Sequence, residues 1–277
     1  MASPYRWPLH RSVALGLAAL LQLGLLLSAS PASAQAARRE PAHRLRLELD
    51  LPIVLLGGAA ASSFFFMSEA PGVACAPSCD KSKINALDRS SAGLYDPSWG
   101  TVGDIATAST IAAPLLVIVL DEGLVNGLND DLVVAEAALV TSAMQVALSY
   151  AVARPRPRVY GDDAPLEDRT DANAARSFFS GHVANTVGTS VAALRTFQRL
   201  GQPALGWVML GAGLAGSSLV GVSRVAAGSH FPSDVLVGAA VGVGVGLAIP
   251  AMHDSNARVV PVGGADYGAL LVSGSLP

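Results

Sequence analysis

The stretch Ser223-Arg224-Val225-Ala226-Ala227-Gly228-Ser229-His230-Phe231-Pro232-Ser233-Asp234 sets a guanidinium, an imidazole and a carboxylate between two long apolar runs, 204–222 and 235–252. An ionised group among apolar neighbours loses hydration and persists only with a partner or a task. Arg224 is suited to fork onto the oxygens of a phosphate. Asp234, four residues after His230, can hold the Nδ1 proton of that ring and leave Nε2 free as a nucleophile. The plainer reading is a His-Asp pair that caps the helix beginning near Pro232.

Working outward, the chain is apolar throughout. Its 277 residues are 51% hydrophobic and only 14% charged, against about 25% charged in a soluble domain, and the mean hydropathy is +0.46. Six apolar segments, 51–67, 105–120, 132–153, 183–197, 204–222 and 235–252, predict an all-α, six-helix membrane-embedded bundle. A span needs about 17–25 apolar residues, so 105–120 and 183–197 also fit buried core helices. In the last segment Gly242 and Gly246 form a Gly-x-x-x-Gly pattern suited to close helix packing. A net charge of −3, with no basic stripe, argues against nucleic acid as a partner. No internal repeat, P-loop, GxGxxG or HExxH pattern is present.

The ends and connections read differently. Arg6 and Arg11, the apolar run 13–27 and Ala32-Ser33-Ala34 resemble a secretory signal peptide cut after Ala34, with an uncleaved anchor helix as the alternative. The expected organisation is a leader over 1–34, a polar lead-in over 35–50, a helical domain over 51–252 and a tail over 253–277 able to form a short β-hairpin around Gly263-Gly264. Residues 68–104 read as a long extramembrane loop in which Cys75 and Cys79 form a local disulfide. Residues 121–131 read as a short acidic loop and 154–180 as a long charged one.

Two further charged stations flank the helices. Arg154-Pro155-Arg156-Pro157 ends the segment 132–153, because each proline disfavours helical dihedrals in the residue before it. Its arginines are either interfacial anchors or half of an anion clamp. Ser180-Gly181-His182 opens the segment 183–197, where free N–H groups at a helix start bind anions. There His182 is either a polar cap or an acid–base group. Two arginine clusters, an anion-binding turn and two histidines together meet the needs of attack on a phosphate ester, with one histidine attacking and the other protonating the leaving alcohol.

Arg156-Pro157, Ser180-Gly181-His182 and Ser223-Arg224-x5-His230-x3-Asp234 resemble the motifs of the type 2 phosphatidic acid phosphatase superfamily, Lys-x6-Arg-Pro, Pro-Ser-Gly-His and Ser-Arg-x5-His-x3-Asp. The resemblance implies a membrane phosphatase acting on a lipid phosphate or diphosphate. By it, His230 is the nucleophile, oriented by Asp234, and His182 the general acid. Arg156, Arg224, Ser180 and Gly181 hold phosphate, and neither metal nor cofactor is implied. Phe179 stands in place of the motif proline, and Ser149 in place of its lysine, so one cation is missing; Arg154 is the candidate to replace it. Vanadium haloperoxidases share the superfamily, but the apolar runs argue against a soluble enzyme of that kind. A catalytically weak or inactive protein that binds anionic lipid is the other alternative, and Ser149 is its main support. If all six segments span after leader cleavage, the three stations and the cysteine loop face the cytoplasm, where a disulfide does not persist. A segment such as 51–67 that does not span, or a soluble periplasmic form, removes that conflict.

Overall fold

A computed structural model describes residues 40–66, 73–254, 258–264 and 267–273; the leader expected over 1–34 lies outside the described residues. Leu47–Pro52 (α1) passes through a π-helical turn, Ile53–Gly57, into Gly58–Phe66 (α2). Pro97–Glu122 (α3) and Leu124–Val152 (α4) follow, and Leu166–Thr170 (α5) is a short helix within the long charged connection. Gly181–Arg199 (α6), Pro203–Ala226 (α7) and Pro232–Asp254 (α8) complete the bundle. Beyond it, Arg258–Gly264 (β1) pairs antiparallel with Tyr267–Ser273 (β2), Arg258 opposite Ser273.

Local chemistry sets the helix limits. Asp96 caps α3 by accepting from the Ser98 N–H at 3.0 Å, with Pro97 at the first helical position, where its missing donor costs nothing. The acidic loop expected over 121–131 is instead two helix ends joined at Gly123. Its charge does not break the helix, because both Asp130 oxygens accept backbone N–H groups, from Ala42 at 2.7 Å and His43 at 3.0 Å.

Four helical stretches, Pro97–Glu122, Leu124–Tyr160, Pro203–Ala226 and Pro232–His253, are long and apolar enough to cross a membrane. The expectation of six spans is therefore met by four among the described residues. The helix α6 differs because it is the inner helix, packed against α3, α4, α7 and α8. Its buried hydroxyls at Thr186, Thr189, Ser190 and Thr196 donate to carbonyls of its own preceding turn, so polar side chains lie inside without unpaired donors. At the core, Phe197 of α6 meets Ile118 of α3 and Val133 and Val134 of α4, all fully buried.

A seam of glycines brings α8 against α6. A Cβ at Gly238 would lie 2.5 Å from the Ser180 carbonyl oxygen, at Gly242 2.5 Å from that of Ala184, and at Gly246 2.5 Å from that of Gly188. Only hydrogen fits, so the two backbones meet, as the Gly242 and Gly246 spacing suggests. With neighbouring helices antiparallel, the start of α3, the end of α4, the start of α6, the end of α7 and the start of α8 gather at one end of the bundle. All three charged stations stand there.

Gly242→Leu is expected to lower stability by about 1–3 kcal/mol through overpacking. Gly244→Ala, where a Cβ meets nothing within 4 Å, is expected to leave it unchanged or slightly raised. Thermal unfolding of both variants in detergent checks the contrast.

Candidate active site

The spacing between Arg224 and His230 follows from the way α7 ends. After Ala226 the chain turns through Gly228, whose φ of 69° is left-handed and suited to glycine. A Cβ there would also lie 1.9 Å from the Leu94 carbonyl oxygen. The turn folds back, so the N–H groups of Ser229 and His230 donate to the Arg224 carbonyl at 3.0 and 3.2 Å. Guanidinium and imidazole are thereby fixed side by side, and both residues are almost fully buried. Pro232 then starts α8, and Asp234 in its first turn accepts the Phe231 N–H at 2.9 Å, a reach-back that stabilises the helix start.

Asp234 does not touch His230 directly as expected. The Nδ1 of His230 donates to the backbone carbonyl of Ser177 at 2.6 Å. That carbonyl is positioned in turn by Asp234, which accepts the Ser177 hydroxyl at 2.5 Å. The carboxylate has no reach to spare, since its other oxygen is paired with Arg154. The functional outcome is the same: Nδ1 carries the proton and Nε2 presents a lone pair. Burial, with Arg156 and His182 alongside, pushes the His230 pKa well below its ordinary value and keeps the ring neutral.

Arg154 belongs to this scaffold. It donates to Ser233 Oγ at 2.8 Å, pairs with Asp88 at 2.8 Å and with Asp234, and lies 4.3 Å from the centroid of the Phe231 ring. Two fully buried carboxylates consume its fork, which corrects the expectation that it replaces the missing cation. Asp88 also accepts the Ser233 N–H at 2.9 Å and hydroxyl at 2.6 Å. Burial alone would raise the Asp88 pKa, but the hydrogen bonds from Ser233 and Arg154 hold it below the ordinary value.

The groups that the sequence assigns to phosphate converge from four elements. Ser180 is the N-cap of α6, yet its side chain makes no capping bond, and its buried Oγ has no hydrogen-bond partner. Beyond it lie the free N–H groups of the first turn, a site for an anion. The ring of His182 meets Asp104 of α3 at 3.3 Å. Arg224 also reaches Asp104 with one nitrogen, while its buried Nε has no partner. Arg156 enters from the end of α4, donating from Nε to the Asn173 carbonyl at 2.8 Å and from a terminal nitrogen to Ser229 O at 3.4 Å. Partial burial of the His182 ring, with Arg224 and Arg156 nearby, lowers its pKa to about 4, and Asp104 opposes that shift.

The missing lysine leaves a legible gap. Ser149 is buried in the last turn of α4 and donates to the Val146 carbonyl at 2.8 Å, so it offers no charge. At the next position Tyr150 meets Arg176, 4% exposed, whose guanidinium carbon lies 4.2 Å from the ring centroid and which donates to the Tyr150 hydroxyl. Sequence reasoning missed Asp88, Asp104, Arg176 and the carbonyl role of Ser177. Only Asp104 gave a signal, as an acid one residue before the apolar run at 105. Over the site packs the loop bearing Cys75 and Cys79, which are bridged; Cys79 N–H donates to Val159 O, and Gly93 N–H to Pro157 O.

Residues 132–258 match the family model described as the PAP2 superfamily. A solved structure, titled as the first transmembrane PAP2 type phosphatidylglycerolphosphate phosphatase from Bacillus subtilis, is similar at 19% identity with a TM-score of 0.41. The likeness covers 74% of this chain and 96% of that one. No curated protein matches the chain.

Asp104→Asn removes the one carboxylate that raises the His182 pKa, so that pKa is expected to fall further below about 4. An NMR titration of the ring checks this; an unchanged value would show that Asp104 does not act on it.

Proposed function

Starting from the match of residues 132–258 to the PAP2 superfamily model, we propose a membrane phosphatase that hydrolyses a lipid phosphate or diphosphate through a phosphohistidine. The observation that carries this reading is the set of buried donors without acceptors, Ser180 Oγ and Arg224 Nε, beside a neutral His230 whose Nδ1 proton is already committed. Nε2 of His230 attacks phosphorus, and the bond from phosphorus to the lipid oxygen breaks. Arg156, Arg224 and the first-turn N–H groups of α6 hold the equatorial oxygens, where charge grows in the transition state. His182 gives its proton to the leaving alkoxide. Water then attacks the phosphohistidine, His182 takes a proton from it, and inorganic phosphate leaves with His230 restored.

Two features tune this chemistry. With a pKa of about 4, His182 is neutral near pH 7 until phosphate arrives. A bound anion favours the protonated ring, or the substrate monoanion brings the proton itself. Arg176, buried and held against Tyr150, is the cation this reading assigns in place of the one lost at Ser149. The apolar helices suit a lipid anchored by its tails, with its headgroup at the bundle end where the stations meet. The cysteine bridge over the site favours the oxidising side of the membrane. Residues 40–50 lie at the opposite end of the bundle, so this sidedness sets them toward the cytoplasmic face.

Phosphate release from a panel of lipid phosphates in detergent tests the reading. The wild type is expected to turn over without added metal, His230→Ala to show none, and Arg176→Ala to lose about 10²–10³-fold, the cost of one transition-state donor. Lipid binding without turnover would favour the inactive alternative, and full activity in His230→Ala would remove the nucleophile. Because the essential proton resides on His182 or on a phosphate whose second pKa is about 6, kcat/KM is expected to fall as pH rises from 6 to 8; a rise would contradict this proton inventory. For sidedness, an impermeant maleimide applied to intact cells after reduction is expected to label Cys75 and Cys79. Labelling only after lysis would reverse the orientation.

A further inference from the structure

A second cluster of ionisable groups lies at the other end of the bundle. Asp50 in α1, Glu136 in α4 and His253 in the last turn of α8 are all buried, and their ligand atoms lie within 4.8 Å of one another. Along α8, Asp234 and His253 are 19 residues apart, about 28 Å at helical rise, so the cluster is remote from the phosphate station.

His253 and Asp50 each have one side held by the backbone, and all three side chains turn a possible ligand atom inward. His253 Nδ1 donates to the Ile249 carbonyl at 3.0 Å, the usual arrangement behind a metal-bound imidazole, and Nε2 hydrogen-bonds Asp50 Oδ1 at 2.8 Å, so a metal ion would take the place of the proton in that contact. Asp50 Oδ2 accepts the Arg46 N–H at 2.5 Å, while Oδ1 lies 2.8 Å from His253 Nε2. Glu136 is fully buried, neither of its oxygens accepts a hydrogen bond, and Oε2 lies 3.3 Å from the same Nε2. Two carboxylates and an imidazole thus bring three possible ligand atoms to one point. Ligands about 2.0–2.2 Å from a tetrahedral metal are roughly 3.3–3.5 Å apart. The Glu136 separation already has that value, and the Asp50 oxygen needs to retreat by about half an ångström.

We propose that Asp50, Glu136 and His253 bind a divalent transition-metal ion that ties α1, α4 and α8 together at the end of the bundle remote from the phosphate site. A dication offsets the charge of two buried carboxylates, and one imidazole with two carboxylates suits zinc, manganese or iron better than magnesium or calcium. The role is structural, and no step of phosphoryl transfer depends on it.

The test uses the full chain, purified in detergent and stripped with chelator. Titration with Co²⁺ alone is expected to give visible d–d bands saturating near one ion per chain, bleached by Zn²⁺, with a rise in the thermal unfolding midpoint. Glu136→Gln keeps the side-chain volume and is expected to weaken Co²⁺ binding at least tenfold, as is His253→Gln. Absence of d–d bands and of a midpoint shift in the wild type would overturn the proposal and leave a proton-shared cluster. Equal binding in both variants would overturn it by placing the ion elsewhere. The wild-type titration decides even where a variant fails to fold, and phosphate release by the stripped protein separates this result from the fate of the phosphatase reading.

Discussion

The buried carboxylate of Asp234 is the constraint around which the site is built. It is fully enclosed, and an unpaired charge there would cost several kcal/mol. The chain answers with three donors, the Ser177 hydroxyl, the Phe231 N–H and the Arg154 guanidinium. Each answer fixes a different element: the segment before α6, the start of α8 and the end of α4. Through Ser177 the carboxylate sets the one carbonyl that holds His230 Nδ1, and through Arg154 it ties in Asp88 from the loop over the site. One desolvated charge thereby joins the four segments that form the candidate site.

That convergence depends on backbones approaching closely. Gly238, Gly242 and Gly246 let α8 lie against α6, so the helix start carrying Asp234 reaches the helix start carrying Ser180, and the Ser180 N–H donates to the Asp234 carbonyl at 3.0 Å. On the other side, a Cβ at Gly103 would lie 2.5 Å from Ser223 Oγ and 2.9 Å from Arg224 Nε. The absence of a side chain there brings Asp104 of α3 within reach of both Arg224 and His182. Small residues buried in the bundle thus determine which charged residues meet at its end.

The motif residues were legible because their spacing is local. The turn from Arg224 to His230 and the Ser180-Gly181-His182 helix start are set by a few consecutive dihedrals. The all-helical nature of the bundle was legible from its apolar runs. Which of them suit lipid was not, because the hydroxyls of α6 are paired within its own turns and the inner position of that helix is a tertiary fact. Partners from distant sequence also escaped. Asp88 meets Arg154 across 66 residues and Asp104 meets Arg224 across 120, and nothing local in a polar loop marks such pairings. The expected Asp234–His230 contact failed for a related reason: a carboxylate in the first turn of α8 meets its own helix start and Ser177 first, so its effect on the histidine passes through a backbone carbonyl.

The electrostatic division of the two histidines follows from their surroundings. His230 is buried with a fixed proton on Nδ1, whereas His182 stands between Arg224 and Asp104. The most direct measurement is to mix the wild-type protein with a lipid phosphate, quench in base, and locate the phosphoryl group by peptide mass analysis. A base-stable, acid-labile phosphoryl group on His230, absent from His230→Ala, is the expected result. Turnover with no phosphoryl group on His230, or with one on another residue, would contradict it.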